Sequence, residues 1–164
     1  MTAPKTETRI VPRMLTRLVP PPAALLISIG LTYAASAWWP TTVVDWPPLD
    51  WVAGLLFAAG GGLMLAAAWA LWRARTTIDP FRPERASQLV TGGIYRLSRN
   101  PIYLGDALLL TGMACWWGQP LGLIALALFV LFIDRFQIRG EEAALARHFG
   151  DAFDRYRQRT RRWL

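Results

Sequence analysis

Eighteen residues of this chain are Lys or Arg, yet none lies between Arg17 and Arg73 or between Arg99 and Arg135. Long stretches that exclude every cation and consist of Leu, Ala, Gly, Val, Ile and Trp leave few folds open. With 164 residues, 54% apolar and only 18% charged, the chain is too apolar for an ordinary soluble domain. Backbone polar groups inside lipid must be satisfied within their own segment, so the fold class expected is an all-α membrane protein.

The apolar runs fall at Ala23 to Trp39, Trp51 to Trp72, Ile102 to Trp117 and Leu121 to Ile133. They predict about four transmembrane helices. The first run also resembles a cleavable signal core, with Ala35-Ser36-Ala37 at its end; a retained span is the reading adopted. The last two runs are about 20–25 Å long at 1.5 Å per residue, so they need tilt, thin lipid or continuation. The fourth is expected to continue through Asp134, Arg135, Glu141 and Glu142 toward Phe149. In the second run Gly54, Ala58, Gly62 and Ala66 recur every four residues, which predicts a close-packing face.

Four spans would put residues 1–22, the polar insert from Arg73 to Arg99 and the C-terminus on one side. All 18 basic residues then share that side, which the positive-inside rule makes cytoplasmic. The net charge of +7 is thereby accounted for without nucleic acid. Nine tryptophans suit two water interfaces. Cys115 is alone, which excludes an intrachain disulfide and a Cys-based zinc site. The organisation expected is a basic leader (1–22, with Lys5, Arg9, Arg13 and Arg17), a two-helix hairpin (23–72) and a functional region (73–164). The insert is broken by Asp79-Pro80 and Arg82-Pro83, which oppose a long helix there. The tail from Asp151 mixes Arg155, Arg157, Arg159, Arg161 and Arg162 with Phe153, Tyr156 and Trp163, as expected of an amphipathic segment on an anionic leaflet.

Candidate chemistry concentrates at Val90 to Gly105, V-T-G-G-I-Y-R-L-S-R-N-P-I-Y-L-G. Pro101 is favoured in a first helical turn, and Asn100 before it is placed to cap the free amides. Arg99 stands at the same positive helix end, where an anionic group would settle. This mouth is expected to hold a small charged cofactor. Asp106 lies one turn inside, where an acid is costly unless paired or functional; an ion pair with Arg99 or Arg135 and a ligand role are both open. Glu141 and Glu142 are adjacent, so at most one points squarely into a pocket while the other pairs with Arg139 or Arg147. His148, the single histidine, reads as a surface residue. No metal site is expected.

Gly92-Gly93-Ile94-Tyr95 followed by Arg99-Asn100-Pro101-Ile102-Tyr103-Leu104-Gly105 resembles the signature of the isoprenylcysteine carboxyl methyltransferase and phospholipid methyltransferase family. Glu141-Glu142-Ala143-Ala144-Leu145, Phe149-Gly150, Tyr156 and Arg162-Trp163 continue the likeness, which covers about half the chain. The resemblance implies an integral-membrane enzyme that transfers methyl from S-adenosylmethionine to a lipophilic acceptor drawn from the bilayer. Carried onto this sequence, it implies a cofactor enclosed by Gly93, Tyr95, Arg99, Asn100, Pro101, Tyr103, Leu104, Glu141 and Glu142. Arg99, Glu142 and Tyr103 are the candidates for catalytic roles. The eukaryotic prenylcysteine enzymes carry histidine where Asn100 stands, which puts a prenylcysteine substrate in question.

The residue types suit that cofactor. A carboxylate such as Glu141 or Glu142 can hold an ammonium or ribose hydroxyls, Arg99 can clamp a carboxylate through two parallel bonds, and Tyr95 and Tyr103 offer ring faces. A carboxylate acceptor needs only orientation. An amine or thiol must lose a proton, for which Glu142, Asp106 or Tyr103 would serve. The sequence also leaves open a sterol or lipid reductase using a nicotinamide cofactor and a non-catalytic membrane scaffold.

Overall fold

A computed structural model of the chain describes residues 19–76 and 87–164. The leader cations Lys5 to Arg17 and the breaks at Asp79-Pro80 and Arg82-Pro83 lie outside the described residues. Every regular element among the described residues is helical. Helix α1 is Pro21–Trp38, α2 Pro48–Arg73, α3 Pro101–Trp116 and α4 Gly122–Phe132. A π-helical stretch, Ile133–Ile138, joins α4 to α5, Arg139–Phe149, and α6, Asp151–Arg159, follows. The expected continuation of the fourth apolar run to Phe149 is present, with the change of helical pitch as its one irregularity. Such π segments are rare and frequent at functional sites.

Helices α1, α2 and α3 each open with proline in the first turn and use no side-chain cap. Proline fixes φ near the helical value and lacks the amide hydrogen that would be orphaned there, so the fold starts its helices without a polar side chain at each mouth. Asn100 therefore does not cap α3 through its side chain as expected. Its Nδ2 donates instead to the carbonyl of Arg162 at 3.0 Å.

α3 packs chiefly on α2, while α1 packs on α4 and α3. The α2–α3 contact is a close backbone approach. A Cβ on Gly105 would lie 2.8 Å from the Gly60 carbonyl oxygen, and one on Gly112 would run into the Phe57 ring. The contact face of α2 is therefore Ala53, Gly60 and Ala67, all buried. Gly54, Ala58, Gly62 and Ala66, expected to form that face, are exposed on the outside of the bundle. Seven-residue spacing follows the partner helix where four-residue spacing drifts away from it.

By length and composition α2 alone among the described helices qualifies to cross a membrane; α1, α3 and α4 have 18, 16 and 11 residues. The outer faces are nonetheless apolar throughout. Leu26, Ile27 and Leu31 of α1, Leu55 and Leu65 of α2, and Leu123, Ile124, Leu128 and Leu131 of α4 are all exposed. At one end the loops are clipped together: Val44 N–H donates to the Gly118 carbonyl at 2.7 Å, and Gln119 and Thr42 hydrogen-bond through their side chains. Gly118 has φ +56° there, and a Cβ on it would strike the Val44 carbonyl.

α6 does not lie free on a lipid surface. Phe153 and Tyr156 are buried against Ala67, Tyr95, Ile102, Leu145 and Phe149, and Trp163 packs on a second cluster around Tyr103, Leu110, Phe129 and Ile133. The apolar side of the tail is consumed by the protein. Arg155, Arg157, Arg159 and Arg161 remain exposed.

Candidate active site

The site forms where α3 begins, because three segments distant in sequence meet there. Gly93 at φ +58° starts a short 3-10 turn, Gly93–Arg96, that swings Tyr95 inward. Tyr156 from α6 locks the turn, its hydroxyl donating to the Tyr95 carbonyl at 2.7 Å. The C-terminal residues then lie along the approach to α3: Arg99 N–H donates to the Arg161 carbonyl at 3.0 Å, and the Ser98 hydroxyl to the Arg162 carbonyl at 3.2 Å. Arg99 is thereby fixed at the mouth of α3.

Glu142 is the centre of the charges. Arg99 donates to its Oε1 from Nε at 3.1 Å and Nη2 at 2.6 Å, and Arg162 Nη2 donates to Oε2 at 2.6 Å. Arg162 Nη1 reaches on to Asp134 at 3.0 Å. Burial opposes the Glu142 charge, but the hydrogen bonds and charges of Arg162 and Arg99 outweigh it and hold the carboxyl below its usual range. The expected partners of this glutamate, Arg139 and Arg147, are not used; Arg139 faces Asp134 at 3.4 Å instead. Arg99 spends most of its fork inside the protein, with Nη1 on the Thr160 carbonyl at 2.5 Å. It builds the mouth and is not a free clamp for an incoming carboxylate.

Glu141 behaves oppositely. Its Oε1 accepts from the Tyr103 hydroxyl at 2.7 Å and from Gln137 Nε2 at 2.6 Å. Burial pushes its carboxyl up to about 7, against the lowering effect of the Gln137 and Tyr103 hydrogen bonds. The π-helical pitch accompanies this arrangement: Gln137 within it and Glu141 beyond it meet on one side.

These groups border a cavity of about 420 Å³, within the range of small-molecule sites. Of the residues singled out from the sequence, Tyr95, Arg99, Asn100, Pro101, Tyr103, Glu141 and Glu142 line it. Gly93 and Leu104 do not; Gly93 shapes the turn behind it. Both adjacent glutamates reach the cavity, contrary to the expectation that one would point away. Apolar side chains complete the lining, Pro21 and Leu25 from α1 and Met64 and Leu71 from α2. Asp106 also lines it, buried at 5% exposure, and pairs with neither Arg99 nor Arg135. His148 is exposed, with its ring edge-on to Phe149.

Arg162 enters the sequence reading only within the tail and the Arg162-Trp163 end of the likeness, with no site role, and Gln137 not at all. Among the five arginines of the tail, Arg162 is set apart by its carbonyl contacts with Ser98 and Asn100 and its bonds to Glu142 and Asp134.

Two carboxylates of opposite character, Glu142 held by arginines and Glu141 by Tyr103 and Gln137, share one cavity in an all-helical fold. The family model of phospholipid methyltransferases matches residues 49–152, and the chain belongs to that family. It is a methyltransferase, which sets aside the reductase and scaffold readings. An uncharacterised protein of Haemophilus influenzae is 41% identical over 63 residues, 38% of this chain and 100% of that protein. A phosphatidyl-N-methylethanolamine N-methyltransferase of Saccharomyces cerevisiae is 32% identical over 87 residues, 53% of this chain. The matched stretch spans 42% of the yeast enzyme's length. No solved structure matches the chain.

Proposed function

We propose that this protein is an integral-membrane enzyme that uses S-adenosylmethionine to methylate the amine headgroup of a phospholipid. The observation that carries the reading is one cavity with two kinds of lining: the polar groups Glu141, Glu142, Arg99 and Tyr95 at the start of α3, and the aliphatic side chains Leu25, Met64 and Leu71. S-adenosylmethionine, when bound, supplies an electrophilic methyl on a sulfonium. At the mouth Glu141 is suited to its ammonium or ribose hydroxyls, and Tyr95 and Tyr103 offer electron-rich faces to cationic sulfur, a contact worth up to about 2 kcal/mol when desolvated. Glu142, locked between two arginines, positions the walls. Methyl transfer is an in-line displacement, so fixed alignment supplies much of the rate.

An amine acceptor fits better than a carboxylate one. Arg99, the one basic side chain lining the cavity among the described residues, is already neutralised by Glu142. The named activity of the yeast relative agrees. Entry from the bilayer follows from the packing: α1 and α2 both line the cavity yet pack on other helices and scarcely on each other. The exposed leucines of α1, α2 and α4 face hydrocarbon in this reading, with four crossings and both termini cytoplasmic.

The test is an assay with purified protein in phosphatidylcholine nanodiscs carrying phosphatidylethanolamine or its monomethyl form, with labelled S-adenosylmethionine. Label in the lipid extract, dependent on the amine lipid, is the expected result. Label appearing only on a carboxylate or thiol acceptor would overturn the amine assignment.

A further inference from the structure

Asp106 is a carboxylate with no work to do in the folded chain. It is 5% exposed, sits within α3 and makes no hydrogen bond or ion pair with any described residue. Isolated acids at such depth are expensive and persist where they serve a ligand or a path. No buried side-chain oxygen in the described structure is both sealed off and unpaired, so the Asp106 carboxylate opens onto the cavity it lines.

Its position separates it from the cofactor end. Of the α3 residues that line the cavity, Asp106 is the deepest, one turn beyond Tyr103 on the same helix face. Arg99, Tyr95, Glu142 and Tyr156 lie toward the mouth. The lining from α1 and α2 carries no charge: Leu25 from one and Met64 from the other, and Met64 lies against Gly105, the neighbour of Asp106. An anion placed beyond the mouth, between aliphatic walls, is complementary to a cation whose remainder is lipid.

We infer that Asp106 receives the amine nitrogen of the phospholipid headgroup and accepts the proton that nitrogen must lose. The inference rests on the amine reading above. An alkylammonium gives one proton to Asp106 and becomes a neutral amine. The nitrogen lone pair then forms the N–CH3 bond as the methyl–sulfur bond of the sulfonium breaks, leaving a thioether and a methylated ammonium. The Asp106 carboxylic acid returns its proton to water through the mouth. The charged and titratable groups sharing the cavity are Arg99 and Tyr103 at the start of α3, Glu141 and Glu142 of α5, Tyr95 of the 3-10 turn and Tyr156 of α6.

The test compares the whole protein with Asp106→Asn and Asp106→Glu in detergent. Calorimetric titration with short-chain monomethyl phosphatidylethanolamine, without methyl donor, is expected to show affinity reduced about tenfold or more in Asp106→Asn and largely restored in Asp106→Glu. Binding of S-adenosylhomocysteine should stay within about twofold. In turnover, Asp106→Asn should lose about 10²-fold in kcat/KM, the low end for general base catalysis. Its residual rate should keep rising with pH as free amine becomes available. Unchanged amine-lipid affinity and pH profile in an active Asp106→Asn variant would overturn the inference and leave the amine reading standing. Equal loss of S-adenosylhomocysteine binding would overturn it by moving Asp106 to the cofactor. A wild-type protein that binds no amine lipid and methylates another acceptor would overturn both.

Discussion

Glu141 and Glu142 are neighbours in sequence with opposite acid–base character, and their environments explain why. Glu142 is charged because two guanidiniums hold it. Its carboxyl sits below the usual range in the folded state, so its contribution to stability is present above the ordinary carboxylate pKa and lost as pH falls through the folded value. Glu141 binds its proton more tightly folded than unfolded. Its contribution favours folding at low pH and is lost as pH rises through about 7. Thermal melts from pH 4 to pH 8.5 should therefore respond oppositely: Glu142→Gln lowers Tm most at the alkaline end, whereas Glu141→Gln flattens the decline between the ordinary carboxylate range and about pH 7. Identical pH profiles for the two variants would contradict the assignment. The family likeness implies both in one site, whereas their adjacency alone predicts one in the pocket and one outside it. Their division of labour is not, because Arg162 reaches Glu142 only after the tail has folded back along Ser98 and Asn100.

Among the elements, the α2–α3 contact sets the position of the mouth. Gly60 and Gly105 meet backbone to backbone, so Gly60→Leu or Gly105→Leu should cost about 1–3 kcal/mol as overpacking, or more if α3 shifts. Gly54→Leu, on the exposed stripe, should be near neutral in the monomer; melts of the three variants check this, and a Gly54 variant as damaged as Gly60 would contradict it. Helix α2 carries small residues at both spacings, Gly54-Ala58-Gly62-Ala66 and Ala53-Gly60-Ala67. Sequence alone does not choose between them, since the choice is made by Gly105 on another helix. The helical runs themselves are readable from hydropathy, and the continuation of the fourth run to Phe149 from its charges. The π-helical stretch left no local mark in composition.

At the level of the whole molecule, the distributions of charge and of apolar surface are what support the proposed orientation. All 18 basic residues lie outside the apolar runs. The exposed leucines of α1, α2 and α4 form an outward face, with exposed tryptophans at Trp38, Trp39, Trp46 and Trp51 beyond one end and at Trp69 and Trp72 near the other. Single cysteines on a Cys115→Ser background test this arrangement. Thr41→Cys should react with an impermeant maleimide from outside intact cells, and Arg161→Cys only after permeabilisation; the reverse pattern would invert the topology. The all-helical fold could be read from the sequence because an apolar run must satisfy its backbone within its own segment. The closure of the tail over the site could not, because it depends on backbone carbonyls, which every residue carries alike.

If the cavity held by Glu142 and Arg99 grips a methyl donor, equilibrium titration of the purified protein with S-adenosylhomocysteine reads that grip without turnover. Saturable binding to the wild type is expected, weakened about tenfold or more in Glu142→Ala and in Arg99→Ala. No saturable binding to the wild type, or equal affinity in all three proteins, would contradict it.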